Sequence, residues 1–250
     1  MDLSQKKYSE NTNSNRLVNT YIALILIILL TLCSCSHSSA DNTKDKESLP
    51  ASSDNSDMLG EEITPPAIIE PVLYYQFDDR WAKKKYNDGR NNDKVRGSAC
   101  APAIMAMVLA TFVDENIDPG DAAKWSLDNG YFTPDPGRTK DEFFPAYGDV
   151  YGIKVTRLLD GDLRKMSADE ALKYHEMATD AVKNGNWVIA FMGKGPWTTD
   201  AHFVLWYGLE GDEVLIRDSN SKKPEKARNK LSLFRETVIR YWEIDISQFR

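Results

Sequence analysis

Cys100 is the only cysteine between residues 67 and 250, so it has no partner there for an internal disulfide. It begins an apolar segment that reaches Phe112, in which large hydrophobic residues recur at helical spacing. Pro102 falls in the first turn, where its missing N–H costs nothing. A thiol at a helix N-terminus lies beside unpaired N–H groups and the positive end of the helix dipole, which stabilise a thiolate. Cys100 is therefore either a small core residue or a nucleophile.

Two histidines of the same stretch could serve as the base, His175 and His202. His175 lies within a predicted helix, on the side of Ala178 and Val182, which favours a structural role. His202 begins a predicted strand after a loop rich in glycine and proline, and catalytic groups often lie where strands meet loops. His202 is therefore the candidate base.

A predicted β-hairpin around residues 208–212 supplies a carboxylate for this histidine. If Tyr207 pairs with Glu213, the same register places His202 directly opposite Asp218. Directly opposed residues share a face and have Cβ atoms about 5 Å apart. Asp218 could then hold one imidazole nitrogen and leave the other free to take a thiol proton.

Cys100, His202 and Asp218 together form a predicted nucleophile–base–orienter triad. An imidazolium close to the thiol would lower the thiol pKa into the range of activated cysteines, about 3.5–7.5. The sequence therefore favours a catalytic thiol over a packing residue.

Several motifs in this order and spacing resemble the papain-like cysteine peptidases of the C-thirty-nine-like type, relatives of the bacteriocin-leader peptidase domain. The matching stretches are Gln76-Phe77-Asp78-Asp79-Arg80-Trp81, Ala99-Cys100-Ala101-Pro102, Lys124-Trp125 to Gly130-Tyr131, Ala201-His202-Phe203-Val204 and Ile216-Arg217-Asp218. The resemblance implies that Cys100 is the nucleophile, His202 the base and Asp218 the orienting group. It also implies that Gln76 and the Cys100 backbone N–H stabilise the oxyanion, since an amide donates without titrating.

The chain departs from the pattern of this family at three positions. The family usually has Gly-Cys-Gly-Pro around the nucleophile, whereas Ala99 and Ala101 stand here. The residue after the aspartate is Ser219 rather than the frequent proline. A methyl group on each side of the cysteine could crowd a substrate or constrain the turn.

The order of the elements that must position these residues, helices first and strands later, predicts an α+β domain, and the resemblance implies that its fold is papain-like. Its N-terminal helices, with the nucleophile at the start of the central one, pack on an antiparallel sheet. The helices are expected at about 100–113, 119–129, 140–151 and 168–184, with capping boxes beginning at Thr139 and Ser167. The strands are expected at 153–159, 187–192, 202–207, 213–218 and 238–246.

The first 35 residues are predicted to be a lipoprotein signal peptide. Basic residues precede an apolar run at 22–32, which is shorter than the ~20 residues of a membrane span. The run ends in Leu32-Cys33-Ser34-Cys35, which resembles a bacterial lipobox and implies that Cys35 is lipidated. A plain uncleaved anchor and a soluble secreted product are the alternatives.

Residues 36–66 are predicted to be a disordered acidic tether, and residues 67–250 the peptidase domain. The tether has no apolar period and carries seven acidic side chains against two lysines. It therefore holds most of the chain's formal charge of −7. The remaining domain is nearly neutral, which argues against nucleic acid as a partner.

No metal site and no cofactor are predicted. One cysteine and two distant histidines in the domain lack zinc-ligand spacing, and Gly193-Lys194-Gly195 lacks the ending of a phosphate loop. Residues 218–221 lack the glycine and final glutamate of a calcium loop.

The sequence thus predicts an exported bacterial hydrolase that cleaves peptide bonds through an acyl-enzyme and is anchored to the membrane outside the cytoplasm. Its substrate is expected to be an extended peptide or protein, or cell-wall peptide. The alternatives are a peptidoglycan amidase or endopeptidase, a catalytically silent papain-like module that binds a partner at the envelope, and a surface lipoprotein without cleft chemistry. We expect a monomer.

Overall fold

The computed structural model describes residues 66–89, 93–136 and 138–250. The predicted signal peptide with Cys35, and the tether up to residue 65, lie outside the described residues. Within the described ranges no helix is long and apolar enough to cross a membrane.

Four helices come first along the described chain, and most of the strands follow in its later part. The helices are α1 (Val95–Ser98), α2 (Cys100–Phe112), α3 (Pro119–Asp128), α4 (Phe143–Val150), α5 (Ala168–Lys183), α6 (Pro224–Ala227) and α7 (Leu231–Thr237), with 3-10 turns at Leu163–Lys165 and Ser247–Phe249. The strands are β1 (Val155–Arg157), β2 (Trp187–Met192), β3 (His202–Glu210), β4 (Glu213–Arg217), β5 (Arg228–Lys230) and β6 (Val238–Ile244). They form one antiparallel sheet in the order β1-β6-β2-β3-β4-β5.

Helix α2 is the central helix of the domain. Eleven of its thirteen residues are buried, from Cys100 to Ala110. A helix that is apolar on all sides must be covered all round, and α3, α4 and β3 all pack against α2. The thiol at its first residue is therefore held by a rigid element.

The sheet separates two layers of apolar side chains because successive strand residues point to opposite faces. Along β3, Phe203 and Leu205 join the cluster around α2, whereas Val204 and Trp206 join the cluster beneath α5. Strand β2 is buried along its whole length, between β6 and β3. Both layers thus fix the end of β3 where His202 begins the strand.

One predicted capping box is present and the other is wrong. Ser167 caps α5, with its hydroxyl accepting from the Glu170 N–H and the Glu170 carboxylate accepting in return. Thr139 caps no helix, because its hydroxyl bonds to the buried Tyr86 hydroxyl at 2.7 Å. Helix α4 consequently begins at Phe143 rather than at Lys140.

The hairpin exists, but its predicted register is wrong. A two-residue turn at Gly211-Asp212 replaces the predicted five-residue loop, and Gly211 has the positive φ (+60°) that this turn accepts. A β-bulge at Tyr207 then shifts the pairing by one residue. Beyond the bulge Leu205 pairs with Arg217, so the offset from the predicted register is two residues.

Other boundaries also differ from the expected ones. Strand β1 covers three residues instead of seven, and the short elements α6, β5 and α7 were not predicted. Residues 66–75 lie in no helix and pair with no strand. We call residues 66–76 the arm.

Candidate active site

Cys100 lies at the first residue of α2 and is 6 % exposed. The preceding Ala99 has no side-chain group that could cap the helix, and the first turn carries no acidic residue. The backbone N–H groups of Ala101 and Phe203 donate to the sulfur. No other side chain therefore occupies the N-terminus of α2, and its N–H groups and dipole stabilise the thiolate form of Cys100.

His202 and Asp218 are in contact, as predicted, although their register is not the predicted one. The His202 Nε2 atom lies 2.7 Å from Asp218 Oδ1, and both side chains are buried. An offset of two residues keeps side chains on the same face, which is why the contact survives the wrong register. The other ring nitrogen, Nδ1, is left for the thiol, and the imidazole hydrogen-bonds to Cys100.

The electrostatics of Cys100 and His202 favour charge on both groups. Burial raises the pKa of the Cys100 thiol, but the hydrogen bond and charge of His202, together with the N–H groups of Phe203 and Ala101, outweigh burial, so that the pKa lies below its usual value. Burial lowers the pKa of the His202 imidazole, but the hydrogen bonds to Asp218 and Cys100 raise it well above its usual value. Both directions favour a thiolate–imidazolium pair over the neutral pair.

Asp218 follows the last residue of β4 and is oriented by its own chain. Its Oδ1 atom also accepts from the Asn220 N–H at 2.7 Å. The Oδ2 atom is buried without a hydrogen-bond partner among the described residues. Two donors on one oxygen fix the carboxylate plane toward the imidazole.

Gln76 lies at the end of the arm, between the segments that lead to Cys100 and follow Asp218. Its Nε2 donates to the Arg96 carbonyl at 2.6 Å, and its Oε1 accepts from the Ser219 hydroxyl at 3.0 Å. The side chain is 2 % exposed. The predicted oxyanion donor is therefore buried and held at both ends of its amide.

The alanines that replace the two glycines point into packed interior. Ala99 belongs to the cluster around Trp81 and Tyr86, and Ala101 belongs to the cluster around α2. Both are fully buried, and Ala99 has a φ of −105°, which needs no glycine. Neither methyl group lies on an open surface that a substrate would use.

His175 has the structural surroundings that the sequence indicated. Its Nδ1 atom lies 2.9 Å from the hydroxyl of the buried Tyr241. Burial, and secondarily the charge of Arg235, lower the pKa of His175 to about 4. Bound as a neutral ring to Tyr241, it lies away from the thiol.

Two groups that hydrogen-bond to the candidate site residues were not identified from the sequence: one backbone N–H and one side-chain hydroxyl. The Phe203 N–H follows His202 in the chain, and Ser219 follows Asp218. The signal in the sequence is their position next to a candidate catalytic residue and, for Ser219, the departure from the family's proline. Within the described ranges no group of three or more His, Cys, Asp or Glu side chains could hold a metal ion.

A groove begins at the strand that carries His202. Two cavities, of about 320 and 490 Å³, share the lining residues Asp135, Pro136, Phe191 and Arg240. Phe203 lines the first cavity and Ala201 the second; these are the two chain neighbours of His202, whereas His202 and Cys100 themselves line neither cavity. Its floor is aromatic, because Phe191 stacks on Phe203 at 4.4 Å.

This arrangement defines a class: an α+β protein of papain-like fold, with the candidate thiol at the start of a central helix and its partners on an antiparallel sheet. The chain belongs to the Peptidase_C39 like family, whose model matches residues 71–248. This family points to a cysteine peptidase or a related module.

Comparison with solved structures finds a similar chain in Bacillus anthracis, described as a candidate C39-like peptidase. It is 13 % identical, with a TM-score of 0.40, and the match covers 60 % of this chain and 89 % of that one. No curated protein matches the chain.

Proposed function

We propose that the chain is a thiol hydrolase that cleaves amide bonds of peptides, with Cys100 as nucleophile, His202 as acid and base, and Asp218 as the orienting group. The observation that carries the proposal is the bridging position of His202. Its imidazole bonds to the thiol on one side and to the Asp218 carboxylate, at 2.7 Å, on the other. A buried histidine with only a structural role needs neither a nucleophile nor a carboxylate as its partners.

The first half-reaction forms a thioester. The Cys100 thiolate attacks the amide carbonyl carbon, a C–S bond forms, and the carbonyl π electrons move to the oxygen. The intermediate collapses as the C–N bond breaks, and the His202 imidazolium gives its proton to the leaving amine. In the second half-reaction water attacks the thioester, His202 takes the water proton, and the C–S bond breaks to restore the thiolate.

The oxyanion needs donors beside the thiol. The Cys100 N–H belongs to the uncapped start of α2, and Gln76 Nε2 has a second N–H besides the one bound to Arg96. We propose these two groups as the oxyanion donors. Loss of one such donor in other hydrolases costs about 10²–10³ in rate.

The groove beside His202 supports a peptide as the substrate. An aromatic floor with charged residues of both signs at its edges suits a chain that carries mixed side chains. Phe203 links the two places, since its N–H donates to the thiol and the residue lines the first cavity. We therefore propose that a peptide in the groove reaches the nucleophile at this residue.

The location outside the cytoplasm is part of this proposal and depends on the sequence of the first 35 residues. We propose lipidation at Cys35 and a peptidase domain tethered to the membrane surface. Cell-wall peptide is then a substrate within reach of the domain.

The test of peptide cleavage compares the unmodified protein with Cys100→Ala on a set of extended peptides and on isolated cell-wall peptides. We expect new peptide termini, identified by mass spectrometry, with the unmodified protein alone. Equal binding of a peptide by both proteins, without cleavage by either, would favour the silent binding module and overturn the hydrolase. Cleavage confined to cell-wall amide bonds would identify the amidase or endopeptidase alternative.

A further inference from the structure

Ser219 makes two hydrogen bonds to Gln76 and is fully buried. Its hydroxyl donates to Gln76 Oε1 at 3.0 Å, and its carbonyl accepts from the Gln76 backbone N–H at 2.8 Å. Ser219 directly follows Asp218 in the chain. One residue thus links the segment of the orienting carboxylate to the amide that we propose as an oxyanion donor.

The hydrogen-bond types determine which way the Gln76 amide points. The Arg96 carbonyl can only accept, so the amide nitrogen must face it. The opposite end is then the oxygen, and the Ser219 hydroxyl is the group that donates to it. Without that hydroxyl, Oε1 would be a buried acceptor without a partner. The free energy of this amide orientation would then rise, and other orientations would become more populated.

The rest of the arm depends on the same segment of the chain. The arm has no strand pairing, so single hydrogen bonds and ion pairs hold it in place. Arg217, which precedes Asp218, pairs with Glu70 and donates to the Pro71 carbonyl at 3.2 Å. The two neighbours of Asp218 therefore hold both the middle and the end of the arm.

We propose that Ser219 is a positioning residue for the oxyanion site, because it holds the Gln76 amide with its free N–H available to the substrate oxygen. This inference rests on the proposed function of Cys100 and Gln76. Arg217 has a supporting role, since it fixes the path of the arm toward Gln76.

Two reactions of the same thiolate differ in whether they need the oxyanion donors. Attack on 4-nitrophenyl acetate forms a C–S bond, places negative charge on the carbonyl oxygen and then expels 4-nitrophenolate, so it needs the oxyanion donors. Alkylation by iodoacetamide forms a C–S bond at a saturated carbon and expels iodide, so it needs the thiolate alone. A residue that acts only through Gln76 should affect the first reaction and not the second.

The experiment measures both rates in the unmodified protein, Ser219→Ala, Gln76→Ala and the double variant. We expect Ser219→Ala to slow acylation of Cys100 about two- to tenfold, which is the loss of rate expected when one buried hydrogen bond is removed. The rate of alkylation should not change. In the Gln76→Ala background the same substitution should cost nothing further, because the two residues act as a unit. Ser219→Thr, which keeps the hydroxyl, should retain most of the rate.

Ser126→Ala is the matched control, since Ser126 is an equally buried serine that bonds to Tyr86 and not to Gln76. It should leave acylation unchanged. Equal losses of acylation and alkylation in Ser219→Ala, an unaltered acylation rate, or the same loss in the Gln76→Ala background would each overturn the positioning role. If the unmodified protein alkylates at Cys100 but never acylates there, the proposed function fails, and this inference with it.

Discussion

His202→Ala should move the pKa of the Cys100 thiol from below its ordinary value to above it. The contributions to the thiol pKa have opposite signs: burial raises it, and the hydrogen bond and charge of His202 lower it. Removing the imidazole leaves burial, the largest single contribution, opposed only by the N–H groups of Phe203 and Ala101, which make the two smallest contributions. The direction of the shift is therefore upward.

The size of this shift follows from the hydrogen bond that is lost. A hydrogen bond to a charged group contributes about 1.5–3 kcal/mol, and one pKa unit corresponds to 1.36 kcal/mol, so the pKa should rise by about one to two units. The lost charge of the imidazolium adds to this. The thiolate fraction at neutral pH then falls at least about tenfold, and the rate of alkylation falls with it.

The assay is the rate of iodoacetamide alkylation as a function of pH, with modified residues identified by mass spectrometry to separate Cys100 from Cys33 and Cys35. The midpoint should lie below 9.0, the thiol's reference pKa, in the unmodified protein and above it in His202→Ala. His202→Gln, which keeps a polar side chain without the charge, should behave like His202→Ala. The matched control is His175→Gln, the other histidine of the domain, which should leave the midpoint unchanged.

The reasoning is refuted if the midpoint for Cys100 is the same in His202→Ala as in the unmodified protein. It is also refuted if Cys100 reacts only after the protein has been denatured, because the thiol would then be a packing residue.

Three other outcomes can be measured independently. Asp218→Asn should lower the pKa of the His202 imidazole by about two units or more in an NMR titration, because the buried partner that raises it is neutralised; an unchanged titration would exclude Asp218 as the orienting group. Tyr86→Phe should lower the free energy of unfolding by about 1–2 kcal/mol in denaturant, since its buried hydroxyl bonds to both Ser126 and Thr139; no loss would show that these bonds do not stabilise the fold. Cys35→Ala should abolish lipidation and the sensitivity of processing to globomycin, and identical processing of both proteins would contradict a lipoprotein.

The contact between His202 and Asp218 was predicted correctly from the sequence, but the hairpin register from which it was derived was wrong. Strand pairing from turn residues assumed a five-residue loop, whereas Gly211 permits a two-residue turn and Tyr207 forms a bulge. The two changes leave an even offset at the site, so both side chains stay on one face. An odd offset would have separated them.

Helix ends were predictable where a local side chain decides them, and not where tertiary contacts do. Ser167 caps α5 through a bond within four residues, which a sequence pattern can indicate. Thr139 has the same pattern, but Tyr86, far away in the chain, takes its hydroxyl. The bond that occupies Thr139 joins residues whose proximity exists only in the folded chain.

The roles of Gln76 and Ser219 could not be derived from composition or spacing. Gln76 was indicated only by resemblance to a family, and Ser219 only as a departure from that family's pattern. The structure brings them together across more than 140 positions of the chain. Bonds of this range, between a polar arm and a turn, have no periodicity by which a sequence could reveal them.

The central claim, that Cys100 is a catalytic nucleophile, is tested most directly by trapping its acyl-enzyme. The purified protein is mixed with 4-nitrophenyl acetate, release of nitrophenolate is followed, and the modified residue is mapped by mass spectrometry. We predict a burst of about one equivalent, an acetyl thioester on Cys100, steady turnover afterwards, and none of these in Cys100→Ala. A protein that releases nitrophenolate at the same rate with and without Cys100, and carries no acetyl group there, would contradict the claim.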